Sequence, residues 1–144
     1  MALTADAVVD YSDNQIYEYP VSATRRIYEG SIVVMDQFGR VRPGEDIANV
    51  IFIGIAREGA DNRKGGHGDI NVKVYTRGRV RLRCTGLLPG VLGNRAYVRE
   101  DDSFYIYGFR SGQTPKATNN VTLGRFVRYI SSTEGWIAFN APVT

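Results

Sequence analysis

The chain has very few of the side chains on which most metal sites and nucleophilic enzymes depend. Its 144 residues include one cysteine and one histidine. A single cysteine excludes an internal disulfide framework, and Cys84 with His67 is too small a set for a zinc site. Cys84 follows an alternating run, so we expect it to be a small inward-facing hydrophobe rather than a reactive thiol.

Long apolar runs are also missing. No stretch approaches the roughly 20 apolar residues of a membrane-spanning helix, and the first residues lack the basic region of a secretory signal. We therefore expect a soluble protein without membrane association. The formal charge of +3, from 18 basic and 15 acidic residues, is too balanced to indicate nucleic-acid binding by itself.

No segment keeps a helical period over 11 or more residues without an interrupting glycine or proline. The 16 glycines instead separate short β-branched runs, which is typical of strands joined by tight turns. The sequence predicts an all-β, single-domain β-sandwich or barrel, jelly-roll-like, of about eight short strands with very little helix. The predicted strands are residues 31–35, 50–56, 70–75, 79–84, 96–98, 104–107, 121–130 and 135–139. Residues 40–42 are expected to continue the first of them after a turn over 36–39.

The N-terminal residues differ in composition from the rest, and we predict an extended arm over 1–24 and the β-domain over 25–144. Residues 1–14 are small and acidic and have no clear period, so they drive burial only weakly. Residues 16–21 are aromatic and extended, but Pro20 cannot donate to a β-ladder. This stretch is therefore expected at a sheet edge or off the sheet.

Tyrosine is abundant, with nine in the chain, and several fall close together near the N-terminus. Tyrosine and arginine are enriched where protein surfaces meet, so this segment is a candidate contact with another subunit. The alternative is an N-terminal strand that folds back on its own sheet. The candidate contact residues are Tyr11, Tyr17, Tyr19, Arg25, Arg26 and Tyr28.

A second candidate surface is the alternating run Arg77, Arg79, Arg81 and Arg83, which would make one face of a strand cationic. Three interpretations stay open. The row could bind single-stranded nucleic acid with the help of nearby aromatic rings, or it could be a solvated face that discourages edge pairing. It could also meet acidic patches on a protein partner, such as the acidic arm of a neighbour.

The remaining polar motifs do not form an active site in sequence. Adjacent carboxylates such as Asp101 and Asp102 point apart in a turn and favour turn hydrogen bonds. The glycine-rich stretch 65–68 is followed by a predicted strand, whereas phosphate-binding loops lead into a helix. We predict no catalytic, cofactor-binding or metal-binding residues and expect a protein that is not an enzyme.

Turn glycines and core apolar residues recur in a definite order over roughly residues 25–140. They are Ile27-Tyr28-Glu29-Gly30, Val33, Asp36, Gly39, Phe52-Ile53-Gly54-Ile55-Ala56-Arg57-Glu58, Asp61-Asn62, Gly68-Asp69, Tyr97-Val98-Arg99-Glu100-Asp101-Asp102-Ser103-Phe104 and Leu123-Gly124-Arg125-Phe126-Val127. This series resembles a family of tailed-phage capsid decoration (cement) proteins, and the likeness departs at 105–107 and 111–120, which are bulkier. The resemblance implies a soluble β-protein on the outer surface of the virion head, made in the host cytoplasm, whose partners are the major capsid protein and itself as a homodimer or homotrimer.

Overall fold

A computed structural model describes residues 16–106 and 117–141, and this part of the chain is almost entirely β. The all-β prediction is confirmed. The only helical element there is a 3₁₀ turn, Pro89–Val91. The strands are β1 Ile16–Pro20, β2 Arg26–Ile27, β3 Ile32–Asp36, β4 Val41–Pro43, β5 Val50–Ala56, β6 Ala60–Asp61, β7 Asn71–Tyr75, β8 Arg77–Arg83, β9 Arg95–Glu100, β10 Ser103–Ile106, β11 Thr122–Ser131 and β12 Glu134–Asn140.

Three of the described strands were not predicted from the sequence. They are β1, which lies in the predicted arm, and the two-residue strands β2 and β6, whereas β4 corresponds to the predicted continuation 40–42. Two residues are too few to show a period of two, which is why the pattern does not reveal β2 and β6.

The strands form a sheet and a barrel, so both architectures named from the sequence occur. The sheet has five antiparallel strands in the order β1-β7-β5-β3-β4, and β2 pairs with β6 in a separate ribbon. The barrel is closed, with the order β10-β8-β12-β11-β9. Only Thr76 separates β7 of the sheet from β8 of the barrel, and its carbonyl accepts a hydrogen bond of 2.7 Å from the Ala141 N–H.

The strands β3 and β5 are buried on both faces, as the apolar run 50–56 predicted for its own strand. One face contributes Val34 and Phe52 to the cluster that fills the barrel, where Phe52 meets Phe139 edge-on at 5.7 Å between ring centroids. The other face contributes Val33 and Ile53 to a second cluster beneath β1, β7 and the β2–β6 ribbon. These two strands of the sheet therefore contribute side chains to both hydrophobic clusters.

The first strand is part of the fold. Residues Ile16–Pro20 pair antiparallel with β7 at the edge of the sheet, in agreement with the edge position that Pro20 predicted. Tyr19 packs against the second cluster, and burial, followed by the charge of Tyr17, raises the pKa of Tyr19. For residues 16–20 the structure thus shows the folded-back alternative, whereas residues 1–15 of the predicted arm lie outside the described residues.

Gly54 lies where the pairing of β3 and β5 shifts register. A Cβ atom at this position would come within 2.3 Å of the Tyr75 carbonyl oxygen, so the neighbouring strand can approach only a glycine.

We expect Gly54→Ala to lower the free energy of unfolding by about 3 kcal/mol, because a backbone clash in a buried sheet has no free side chain to relieve it. Chemical denaturation measures the change. Gly59→Ala is the matched control, since its added Cβ would meet nothing closer than 3.5 Å. Equal stabilities of the two variants would contradict this account of β5.

Candidate interaction surfaces

The four arginines of β8 lie on the outside of the barrel. Arg77, Arg79, Arg81 and Arg83 are all exposed, whereas Leu82 between them is 4% exposed and faces the core. The period of two in the sequence therefore corresponds to the two sides of the barrel wall.

The neighbouring strands extend this cationic row across the barrel. Opposite residues of antiparallel strands share a face, and the register places Trp136 opposite Arg81 and Ala138 opposite Arg79. On the far side of β12, Arg128 lies opposite Trp136 and Arg125 opposite Ala138.

A bulge in β11 decides where Arg128 points. The pairing passes from Phe126 opposite Ile137 to Arg128 opposite Trp136, so Val127 is the extra residue. Without the bulge, Val127 would take the position opposite Trp136, and Arg128 would fall one position further along, on the opposite face.

The next strand adds one more arginine, because Arg95 of β9 lies opposite Arg125. The exposed arginines of β8, β9 and β11 thus all lie on the outside of the barrel wall, spread over four of its five strands, and we call this set the basic face. The sequence shows its β8 row, but Arg95, Arg125 and Arg128 join only through strand order and register. The basic face consists of Arg77, Arg79, Arg81, Arg83, Arg95, Arg125 and Arg128.

Acidic side chains lie near both ends of the β8 row. Glu134 accepts a hydrogen bond from Arg81, and this contact holds the pKa of the Glu134 carboxyl below its usual range. Glu100 and Asp102 line a shallow groove beside Arg83, and Glu29 lines a groove with Arg77 and Arg79. Among the described residues Arg81 is the one arginine of the basic face that forms an ion pair with an acid.

Two features of the basic face suit recognition of carboxylate or phosphate groups. Every basic residue that the structure describes in the barrel is an arginine rather than a lysine, and the guanidinium fork matches both anions bidentately. Like charges directly opposite each other on a sheet destabilise it by about 0.2–1 kcal/mol. An anion bound between Arg95 and Arg125 would relieve this repulsion.

Aromatic rings accompany the arginines. Trp136, the single tryptophan of the chain, is half-buried between the β8 and β11 positions of the basic face. On β9 and β10, Tyr97 lies opposite Tyr105, and the guanidinium of Arg99 stands 5.4 Å from the Tyr105 ring centroid. Tyr107, the last residue of the predicted strand 104–107, lies outside the described residues.

The candidate residues near the N-terminus fall into two local groups. Tyr17 and Tyr19 project from one face of β1 with ring centroids 6.4 Å apart. Arg26 stacks on Tyr28 at 4.5 Å from the ring centroid and lies 3.8 Å from the Asp61 carboxylate. The first group belongs to β1, and the second lies on and beside the β2–β6 ribbon.

Of the other candidates in this region, Arg25 is exposed beside Arg26, and Tyr11 lies outside the described residues. Packing of Tyr19 against the second cluster explains its burial within the chain, whereas Tyr17 and Tyr28 are 49% and 56% exposed. The exposed tyrosines are therefore the ones left for contact with another subunit.

No family model matches this chain, and neither a curated protein nor a solved structure matches it. In the described ranges, 16–106 and 117–141, no three or more His, Cys, Asp or Glu side chains are placed to hold a metal ion. The same ranges contain no helix with the length and hydropathy needed to cross a bilayer.

Cys84 faces inward, as its place in the alternating run predicted. It is 5% exposed, and burial raises the pKa of its thiol to about 11. The thiolate is the nucleophilic form, so the native protein holds this residue in its unreactive state.

We expect a disulfide reagent at pH 8 to label native Cys84 about a hundredfold more slowly than the unfolded chain, because little thiolate forms and the sulfur is covered. Stopped-flow absorbance with and without denaturant measures the two rates. Similar rates would show that Cys84 is accessible in the native state and would contradict the inward orientation.

Proposed function

We propose that this protein is a non-enzymatic structural protein that binds an acidic protein surface through its basic face. The particular role we propose is that of a capsid decoration (cement) protein on the outer surface of an assembled phage head. There it stabilises the shell by bridging neighbouring major capsid protein subunits. The observation that carries the proposal is the set of seven exposed arginines on the outside of the barrel, of which Arg81 alone forms an ion pair with an acid among the described residues.

The barrel is a suitable carrier for such a surface. Hydrogen-bonded strands hold the arginine backbones at fixed spacings, so less conformational entropy is lost on binding than from a flexible loop. Arginine is also among the residue types that contribute most to interface energetics. An acidic partner would complement this charge pattern and fix its own orientation on the barrel.

The ordered motif resemblance supports a capsid as the partner, since decoration requires many equivalent sites on one lattice. Each contact can be modest if a decorator links two or more of them, because the second contact forms at a high effective concentration. We propose a homodimer or homotrimer for the same reason, as symmetric copies present several basic faces at once. Tyr17 and Tyr28 are the proposed tyrosine contacts among the described residues.

Reversing charge on the basic face should weaken attachment. We expect R79E/R125E to bind undecorated heads of the encoding phage at least tenfold more weakly than the unaltered chain, because two arginines without acidic partners are replaced by repelling carboxylates. Sedimentation of heads with increasing protein measures affinity and stoichiometry.

The matched control is K64E/K73E, which makes the same change in net charge at exposed positions on the sheet half. It should bind heads like the unaltered chain. If R79E/R125E binds heads as tightly as the control does, the basic face is not the binding surface. If neither the variants nor the unaltered chain binds heads stoichiometrically, the capsid is not the partner.

A single-stranded nucleic-acid-binding barrel is the second candidate, and the position of Trp136 between cationic strands favours it. Base stacking on an aromatic ring contributes about 1–3 kcal/mol per base, and arginines would neutralise the phosphates. The barrel also has five strands, the number found in oligonucleotide-binding barrels.

This candidate predicts that a labelled single-stranded oligonucleotide binds with an affinity that falls steeply with salt, and that Trp136→Ala weakens binding about tenfold. Fluorescence anisotropy measures both effects. Phe38→Ala removes an aromatic ring that is 69% exposed in the β3–β4 turn and serves as the control. Absence of binding at low salt would eliminate the candidate.

A further inference from the structure

The residues before β1 carry a charge opposite to that of the basic face. Residues 1–15 contain Asp6, Asp10 and Asp13 and no lysine or arginine, and the first basic residue of the chain is Arg25. The three aspartates are three and four residues apart, about 10–13 Å in an extended chain.

The chain enters the fold beside the basic face. Ile16 pairs with Tyr75, so the first described residue lies at the end of β7 that leads into Thr76 and β8. Arg77, the first arginine of the basic face, is two residues beyond Tyr75. A groove of about 420 Å³ begins there, and three arginines, Arg57, Arg77 and Arg79, line it with one acid, Glu29, and with apolar groups.

The lengths of the two partners are compatible. The β8 row from Arg77 to Arg83 covers about 20 Å, whereas 15 extended residues reach about 50 Å. A tether this short gives the aspartates an effective concentration in the millimolar range at their own barrel, well above that of any free acidic partner.

We propose that residues 1–15 bind the basic face of their own chain in the free protein, and that an acidic partner must displace them. This inference rests on the proposed function of the basic face as a docking surface. The N-terminal segment then acts as an internal competitor that lowers the affinity of the basic face for any other anion. Only a partner that offers many equivalent acidic sites, such as a capsid lattice, displaces the segment. The same competition suppresses binding of unrelated polyanions.

The single tryptophan is a built-in reporter of this contact, because Trp136 lies at the centre of the basic face. We expect the emission of the full chain to differ from that of a chain that begins at residue 16. The difference should vanish at about 1 M salt, where the screening length falls to about 3 Å. Adding a synthetic peptide of residues 1–15 to the shortened chain should restore the emission of the full chain at low salt.

Matched variants test whether the contact depends on the aspartates of residues 1–15 rather than on net charge. D10N/D13N should shift the emission toward that of the shortened chain, whereas E18Q/E58Q, which removes two exposed carboxylates from the folded sheet half, should leave it unchanged. A nitroxide attached to Ser12→Cys should broaden the Trp136 indole resonance. Cys84 interferes little with this labelling, since it is buried.

Identical emission of the full and shortened chains, together with an unbroadened indole resonance, would overturn the inference. A salt-sensitive difference that disappears on dilution over about two orders of magnitude would also overturn it, because an intramolecular contact does not depend on protein concentration. All these measurements use the free protein. Failure here therefore leaves the head-binding test of the basic face intact, and failure of head binding leaves the internal contact standing.

Discussion

The structure depends on burial of β3 and β5 on both faces. Each strand contributes side chains to the barrel cluster in one direction and to the second cluster in the other, so neither core forms without the same two strands. The close approach of Tyr75 to Gly54 fixes β7 against β5 at this point. Since β8 follows β7 after Thr76 alone, the position of β7 also fixes where the arginine row begins. The surface proposed to bind a partner is thus anchored to the most buried part of the molecule.

The basic face combines local and non-local causes. Along β8 the alternation of arginine with apolar residues places one set outside and the other in the barrel core. Across the strands, register aligns Arg95, Arg125 and Arg128 with that row, and the bulge at Val127 directs Arg128 outward. Like charges brought together this way raise the free energy of the unbound surface. An acidic partner, or an acidic segment of the same chain, would lower it, which links the proposed function to the proposed internal competitor.

Two polar side chains hold together segments whose sequence shows only turn residues. Asn62 is 2% exposed, and its amide donates to the carbonyls of Val21, Ser22 and Gly66. Asp46 accepts from the N–H groups of Thr118 and Asn119 at 2.7 and 2.8 Å and so connects the sheet to the barrel. Buried or paired polar groups of this kind specify one arrangement because an unmade hydrogen bond is costly. Nothing in the spacing of these residues indicates their partners, which lie up to 73 residues away.

By itself the sequence determined the all-β class, most of the strands, the inward position of Cys84 and the cationic row of β8, because each follows from a period of two over neighbouring residues. It left open whether residues 16–20 fold back, and it showed neither the short strands β2 and β6 nor the division into a sheet and a closed barrel. Only the tertiary structure places further arginines beside the β8 row and so extends it into the basic face. Arg95 and Arg125 are 30 residues apart in the chain and adjacent only through the pairing of β9 with β11. Such neighbours depend on strand order and register, which the burial of distant apolar side chains sets, and no local pattern encodes them.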